Sequence, residues 1–131
     1  MAGLKIIANS LPADGWSVYR DLDLDENPAQ VKGGAGIVAG FDAVNLSASV
    51  LYLKFYDAVP TGMTLGVTEP VMTKVIPTLG DTNGVSRSES YLPQGLTGFT
   101  TGITIAATTG LGDDDTTGPG ADELVVHVLY K

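Results

Sequence analysis

The sequence contains no cysteine. Disulfide frameworks, thiolate nucleophiles and Cys-ligated metals are therefore excluded, and the redox compartment stays open. Histidine is almost as scarce: His127 is the only one. A Ser-His-Asp set or a histidine metal site would have to be built around it. The neighbouring Val126 and Val128 point the opposite way along a strand, and neither a nucleophile motif nor a second ligand accompanies it. A surface or interface histidine is the expectation. Basic residues are few, 7 against 15 acids, for a formal charge of −8. They stand singly, at Lys5, Arg20, Lys32, Lys54, Lys74, Arg87 and Lys131. Such a chain has no nucleic-acid patch and is repelled by anionic lipid. No apolar run approaches the length of a membrane span. Residues 1–7 lack a basic stretch followed by a long apolar core, so no secretory signal is expected. No segment shows a helical period either.

What is present is β-structure punctuated by glycine. A chain of 131 residues is expected to form one domain, and it can bury roughly two-thirds of its unfolded surface. Apolar residues make up 44%, an ordinary globular share. Glycine, at 17 residues, is about twice as common as usual, which implies many turns or bulges. The densest apolar run is Val50-Leu51-Tyr52-Leu53-Lys54-Phe55-Tyr56, a suitable length for a strand. With a period of two, Leu51, Leu53 and Phe55 share a purely apolar face, expected to be core. Val50, Tyr52, Lys54 and Tyr56 share the other. Its hydroxyls and ammonium must reach water or a partner, so this face is expected to be partly covered.

Around that strand, Leu4–Ala8 reads as a short first strand. Trp16–Leu24 reads as a second, with Trp16, Val18 and Arg20 on one face and Tyr19 on the other. Gly33-Gly34-Ala35-Gly36 suits a bulge or bend before a strand at 37–44. Residues 37–44 and 50–56 form a candidate hairpin. Val71–Leu79 is a strand bounded by Pro70 and Pro77, as an edge would be. Gly80-Asp81-Thr82-Asn83-Gly84 is a turn whose Asn-Gly is a strong hairpin signal. Residues 85–92 alternate weakly, and 95–99 look irregular. Gly102–Thr108 and Leu124–Lys131 are strands, joined by a polar loop at 110–122. Even spacing of strands and turns predicts an all-β fold, an antiparallel β-sandwich of jelly-roll type, with the Leu51/Leu53/Phe55 face against Val126 and Val128.

Three patterns invite a chemical reading. Gly34-Ala35-Gly36-Ile37-Val38-Ala39 has the loose G-x-G-x-x-A dinucleotide spacing, but that motif needs a helix after the glycines, and the residues here read as strand. Asp21, Asp23 and Asp25 open like a calcium loop, yet Glu26 and Lys32 occupy the positions that need glycine and glutamate. A solvated strand face is the better reading. Asp113-Asp114-Asp115 is a stronger cation candidate, weighed against a loop that is acidic for solubility alone; the second reading is preferred. No cofactor, metal or catalytic residue is assigned. Tyr19, Tyr52, Tyr56 and His127 are the interface candidates, because Tyr is enriched at contacts and these positions fall on faces the apolar core does not claim.

Three stretches also resemble a known group. They are Val50–Asp57 (Y-x-K-x-Y-[DN]), the Pro-bounded Thr68–Pro77, and Phe99–Thr109 with an acidic loop and the closing Leu124–Lys131 (an F-x-x-G-[IL]-x-[IV]-A-x-T-x-G … A-x-[DE]-[LV]-V-V-x-x-x-Y-K ending). Their order is similar to that in small β-sandwich virion structural proteins of tailed bacteriophages. The resemblance spans about residues 30–131 and leaves residues 1–30 as an arm or edge strand. It implies a capsid decoration (cement) protein on the virion surface, made in the host cytoplasm without a signal peptide. Its partner would be the major capsid protein, with self-association as a trimer or dimer; nucleic acid and membrane are not expected partners. The alternative is a tail fibre or a carbohydrate-binding module using surface aromatics. The resemblance carries over no catalytic or binding residue.

Overall fold

The computed structural model describes residues 15–92 and 94–131. Nine strands lie among them: β1 (Ser17–Asp21), β2 (Ala29–Lys32), β3 (Gly36–Asn45), β4 (Leu51–Tyr56), β5 (Met72–Ile76), β6 (Val85–Ser90), β7 (Leu96–Phe99), β8 (Ile103–Thr108) and β9 (Leu124–Tyr130). Among the described residues the one helical element is a 3-10 turn at Pro60–Gly62. The strands form two antiparallel sheets, ordered β1-β9-β3-β6 and β2-β8-β4-β5, with the short β7 added against β3.

The connectivity is that of a jelly roll. β1 pairs with β9, β2 with β8, β3 with β6 and β4 with β5, so successive pairs fall in alternate sheets. The chain behaves as one long antiparallel ribbon, doubled back at residues 77–84 and then rolled. The expected β-sandwich of jelly-roll type is the fold observed.

The core follows from strand alternation. Leu51, Leu53 and Phe55 of β4, with Ile103, Ile105 and Ala107 of β8, face Phe41 and Ala43 of β3 and Leu124, Val126 and Val128 of β9. The Phe55 ring lies 5.9 Å from Phe41 and 6.5 Å from Phe99, both tilted, as aromatic quadrupoles prefer. Each such side chain, fully buried, stabilises by roughly 1.5–3 kcal/mol. Pro70 and Pro77 flank β5, which is an edge strand as expected.

Several expectations are corrected. Residues 37–44 and 50–56 do not form a hairpin: β3 and β4 lie in opposite sheets. Each carries one apolar face, and burying both requires the strands to face one another. Residues 46–50 make the crossing, held by Asn45. Its Nδ2 donates to the carbonyls of Ser49 (2.9 Å) and Pro77 (3.0 Å), and its Oδ1 accepts from the Ser47 N–H (2.8 Å). Asn83-Gly84 is likewise a turn but not a hairpin, since it carries the chain from β5 in one sheet to β6 in the other. There Asp81 Oδ1 accepts the Asn83 N–H (2.9 Å), and Gly80 and Gly84 take φ of 80° and 94°.

The second strand stops at Asp21 instead of reaching Leu24. Asp21 and Asp25 turn back to accept the N–H groups of Asp23 and Asn27, which breaks the ladder. Leu24 is fully buried, tied by its N–H to the Leu124 carbonyl (3.1 Å). Residues 96–99 form a short strand paired with β3, with a shift of register between Gly36 and Val38. No helix follows Gly34-Ala35-Gly36, so the dinucleotide spacing is a bend; it takes the chain from β2 in one sheet to β3 in the other. The proposed strand at Leu4–Ala8 lies outside the described residues.

Candidate functional site

The sandwich has two outward sheet faces, and they differ. On the β2-β8-β4-β5 sheet, two loops lie across the second face of β4. Lys54 is completely buried, and its Nζ donates to the Gly112 carbonyl at 2.5 Å. The acidic loop around Gly112 is closed on itself. Thr109 N–H bonds the Thr117 carbonyl (2.9 Å), and Asp115 Oδ1 accepts both the Thr117 N–H (2.8 Å) and its hydroxyl (2.7 Å). The Thr117 hydroxyl and N–H hold the Asp115 carboxyl below the usual carboxylate range. Tyr56 is buried with Ala58 and Ala106, with Met63 and Leu65 packed over it. Its hydroxyl has no hydrogen-bond partner among the described residues. Burial, reinforced by the charge of Asp113, pushes it up to about 12.

Asp57, just beyond β4, ties the β7–β8 turn to this side. Its carboxylate accepts the N–H groups of Thr101 (2.8 Å), Thr100 (2.9 Å) and Gly102 (3.3 Å), and the Thr100 hydroxyl (2.9 Å). These bonds, Thr101 first, lower its pKa. At the open side of the sandwich, Glu89 of β6 binds Lys74 of β5 (3.1 Å), Arg87 (2.5 Å) and the Tyr91 hydroxyl (3.0 Å). Burial alone would raise the Glu89 carboxyl, but its bonds to Lys74 and Tyr91 and the two cationic charges outweigh that and hold it low. Edge thus closes against edge.

The four interface candidates do not form one surface. Tyr56 is withdrawn from solvent altogether, contrary to the expectation that its hydroxyl reaches water or a partner. Tyr19 packs against the core from edge strand β1, also contrary to expectation; its hydroxyl donates to Asp21 (3.1 Å), and burial, then Asp21, pushes its pKa up to about 12. Tyr52 is half-buried on β4, opposite Val75 and Thr108. His127 stands half-exposed on the other sheet. Asp113, Asp114 and Asp115 remain a loop cap: among the described residues no three acidic or histidine side chains converge to hold a metal.

On the outer face of the β1-β9-β3-β6 sheet, three rows of residues run across the strands. In the central row Arg20 of β1, His127 of β9, Asp42 of β3 and Ser88 of β6 stand side by side. The Ser88 hydroxyl donates to Asp42 Oδ1 at 2.6 Å. In the next row stand Val18, Leu129, Gly40 and Ser90, and on the other side of the centre Val125, Val44 and Ser86. Gly40 lacks a side chain and floors a hollow of about 200 Å³, bordered by Val18, Ala39, Ser90, His127 and Leu129. A Cβ at Gly40 would collide with the Glu89 carbonyl, so the hollow is built into the backbone.

No family model, curated protein or solved structure matches this chain. Its function must therefore be read from these surfaces. Of the residues in the central row, only His127 stood out in the sequence. Asp42 and Ser88 join it through strand pairing, for which the sequence offers no local signal. No helix among the described residues is long and apolar enough to cross a membrane.

Proposed function

We propose that this chain is a virion structural protein of a tailed bacteriophage, a decoration (cement) protein that binds the major capsid protein on the outside of the assembled shell and stabilises it. The observation that carries this reading is the contrast between the two sheet faces. One is covered by the chain's own loops; the other stays partly exposed among the described residues, with apolar rows beside a polar one. That is a contact surface, and no catalytic set accompanies it among the described residues.

The resemblance over residues 30–131 supports the same reading. The jelly roll is compatible with it, being a scaffold used by viral capsid proteins and by lectins; fold alone does not choose between them. The charge of −8 keeps the free protein soluble, and a basic patch on the shell would speed docking. Decoration proteins fill symmetric gaps in a lattice, so a trimer or dimer is the natural form.

The test is a reconstruction of the phage particle with mass spectrometry of its proteins. Density for this chain on the shell, at capsid-like copy number, is the expected result. Density confined to the tail would replace the reading with host recognition by a fibre or carbohydrate-binding module. Absence from purified particles would overturn both.

A further inference from the structure

We propose that the open face of the β1-β9-β3-β6 sheet is a self-association surface, on which two copies of this chain pack about a two-fold axis running along β9 over His127. The proposal does not rest on the capsid reading, since the contact is a property of the purified chain.

The rows of the face dictate the axis. Within one chain, Arg20 and Asp42 flank His127 on neighbouring strands, about 10 Å apart at the usual strand spacing. Neither has an ion-pair partner among the described residues. A two-fold axis along β9, lying in the plane of contact, exchanges the two sides of that strand. It places β1 of one copy over β3 of the other. Arg20 then faces Asp42 of the second copy, and the pair occurs twice. In the next row the same operation sets Val18 over Gly40, so a small apolar knob meets the hollow of about 200 Å³. Residues on the axis, Val125, His127 and Leu129, meet their own counterparts. Charge and shape thus complement themselves under one operation, which an isologous contact requires. Sheets packed face to face align within about 30°, so the match is best near the axis and fades toward the serines of β6.

Size limits strength. Four strands about 4.8 Å apart, each contributing five or six residues, cover on the order of 400 Å² per copy. Both copies together bury about 800 Å², below the range of stable interfaces and within that of weak, transient ones, so dissociation at about 100 µM or above is expected.

Sedimentation equilibrium of the full chain across about 1–500 µM, the range a contact of this size calls for, is the test. A monomer–dimer equilibrium is expected, weakened by salt. Arg20→Glu and Asp42→Arg should each weaken it at least about tenfold, and the double exchange should restore it, because the charges again complement across the axis. Should Asp42→Arg fail to fold without its Ser88 bond, Arg20→Glu decides, since the Arg20 side chain makes no hydrogen bond among the described residues. A monomer throughout, a trimer, a dimer indifferent to Arg20→Glu, or a folded double exchange that stays apart overturns the proposal.

Discussion

Lys54 ends on the carbonyl oxygen of Gly112, 2.5 Å away and 58 residues along the chain. The ammonium is fully buried, so the loop that supplies the carbonyl cannot lift without uncovering a charge or stranding it. Strand β4 is thereby covered on both faces, the first by the core and the second by the chain's own loops.

Removing that anchor should free the loop. Lys54→Ala is expected to cost about 2–4 kcal/mol, through lost packing and an unpaired carbonyl. Lys54→Met, close in volume and uncharged, should stay within about 1 kcal/mol of the native protein, because desolvation of the ammonium offsets much of its gain. In both variants limited proteolysis should cut within residues 110–116 faster than in the native chain. Unaltered cleavage would mean that the loop holds itself.

The core makes a simpler demand. Leu53 is completely buried among Phe41, Val126 and the β8 isoleucines, so Leu53→Ala should cost about 2–5 kcal/mol in a reversible melt. A loss below about half a kcal/mol would contradict this packing.

Acid should loosen the β7–β8 turn through Asp57. Its folded pKa is lowered, so its contribution is fully present above the unfolded value, about 3.9, and is lost as pH falls through the folded one. The carboxylate lies near solvent, which screens the effect, and a contribution under about 1 kcal/mol is expected. Asp57→Ala should therefore lower stability at neutral pH and flatten its decline below about pH 4. Parallel acid profiles for the two proteins would contradict this role.

Calcium should leave the melting temperature unchanged up to millimolar concentration. Asp115 is engaged with Thr117, and Asp113, Asp114 and Asp115 do not converge. A rise with calcium, reversed by a chelator, would make the acidic loop a cation site after all.

Alternation along each strand is a local property, and so the sequence by itself determined which faces are buried. Leu51, Leu53 and Phe55 read as core, as did Val126 and Val128, and Pro70 and Pro77 marked β5 as an edge. The absences of cysteine and of a second histidine were equally plain. Which strand lies beside which is not local. Residues 37–44 and 50–56 read as a hairpin and Asn83-Gly84 as a hairpin turn, yet each connection runs from one sheet to the other, because two one-faced strands bury more apolar surface facing each other than side by side. Loop coverage is no more legible. Tyr56 and Lys54 have the pattern of a half-wet face, and only the path of residues 58–65 and 110–117 makes them interior. The row from Arg20 through His127 and Asp42 to Ser88 joins four strands that stand far apart in the chain. Tertiary structure alone placed those charges side by side, since the pairing that aligns them is set by mutual burial of the opposite faces.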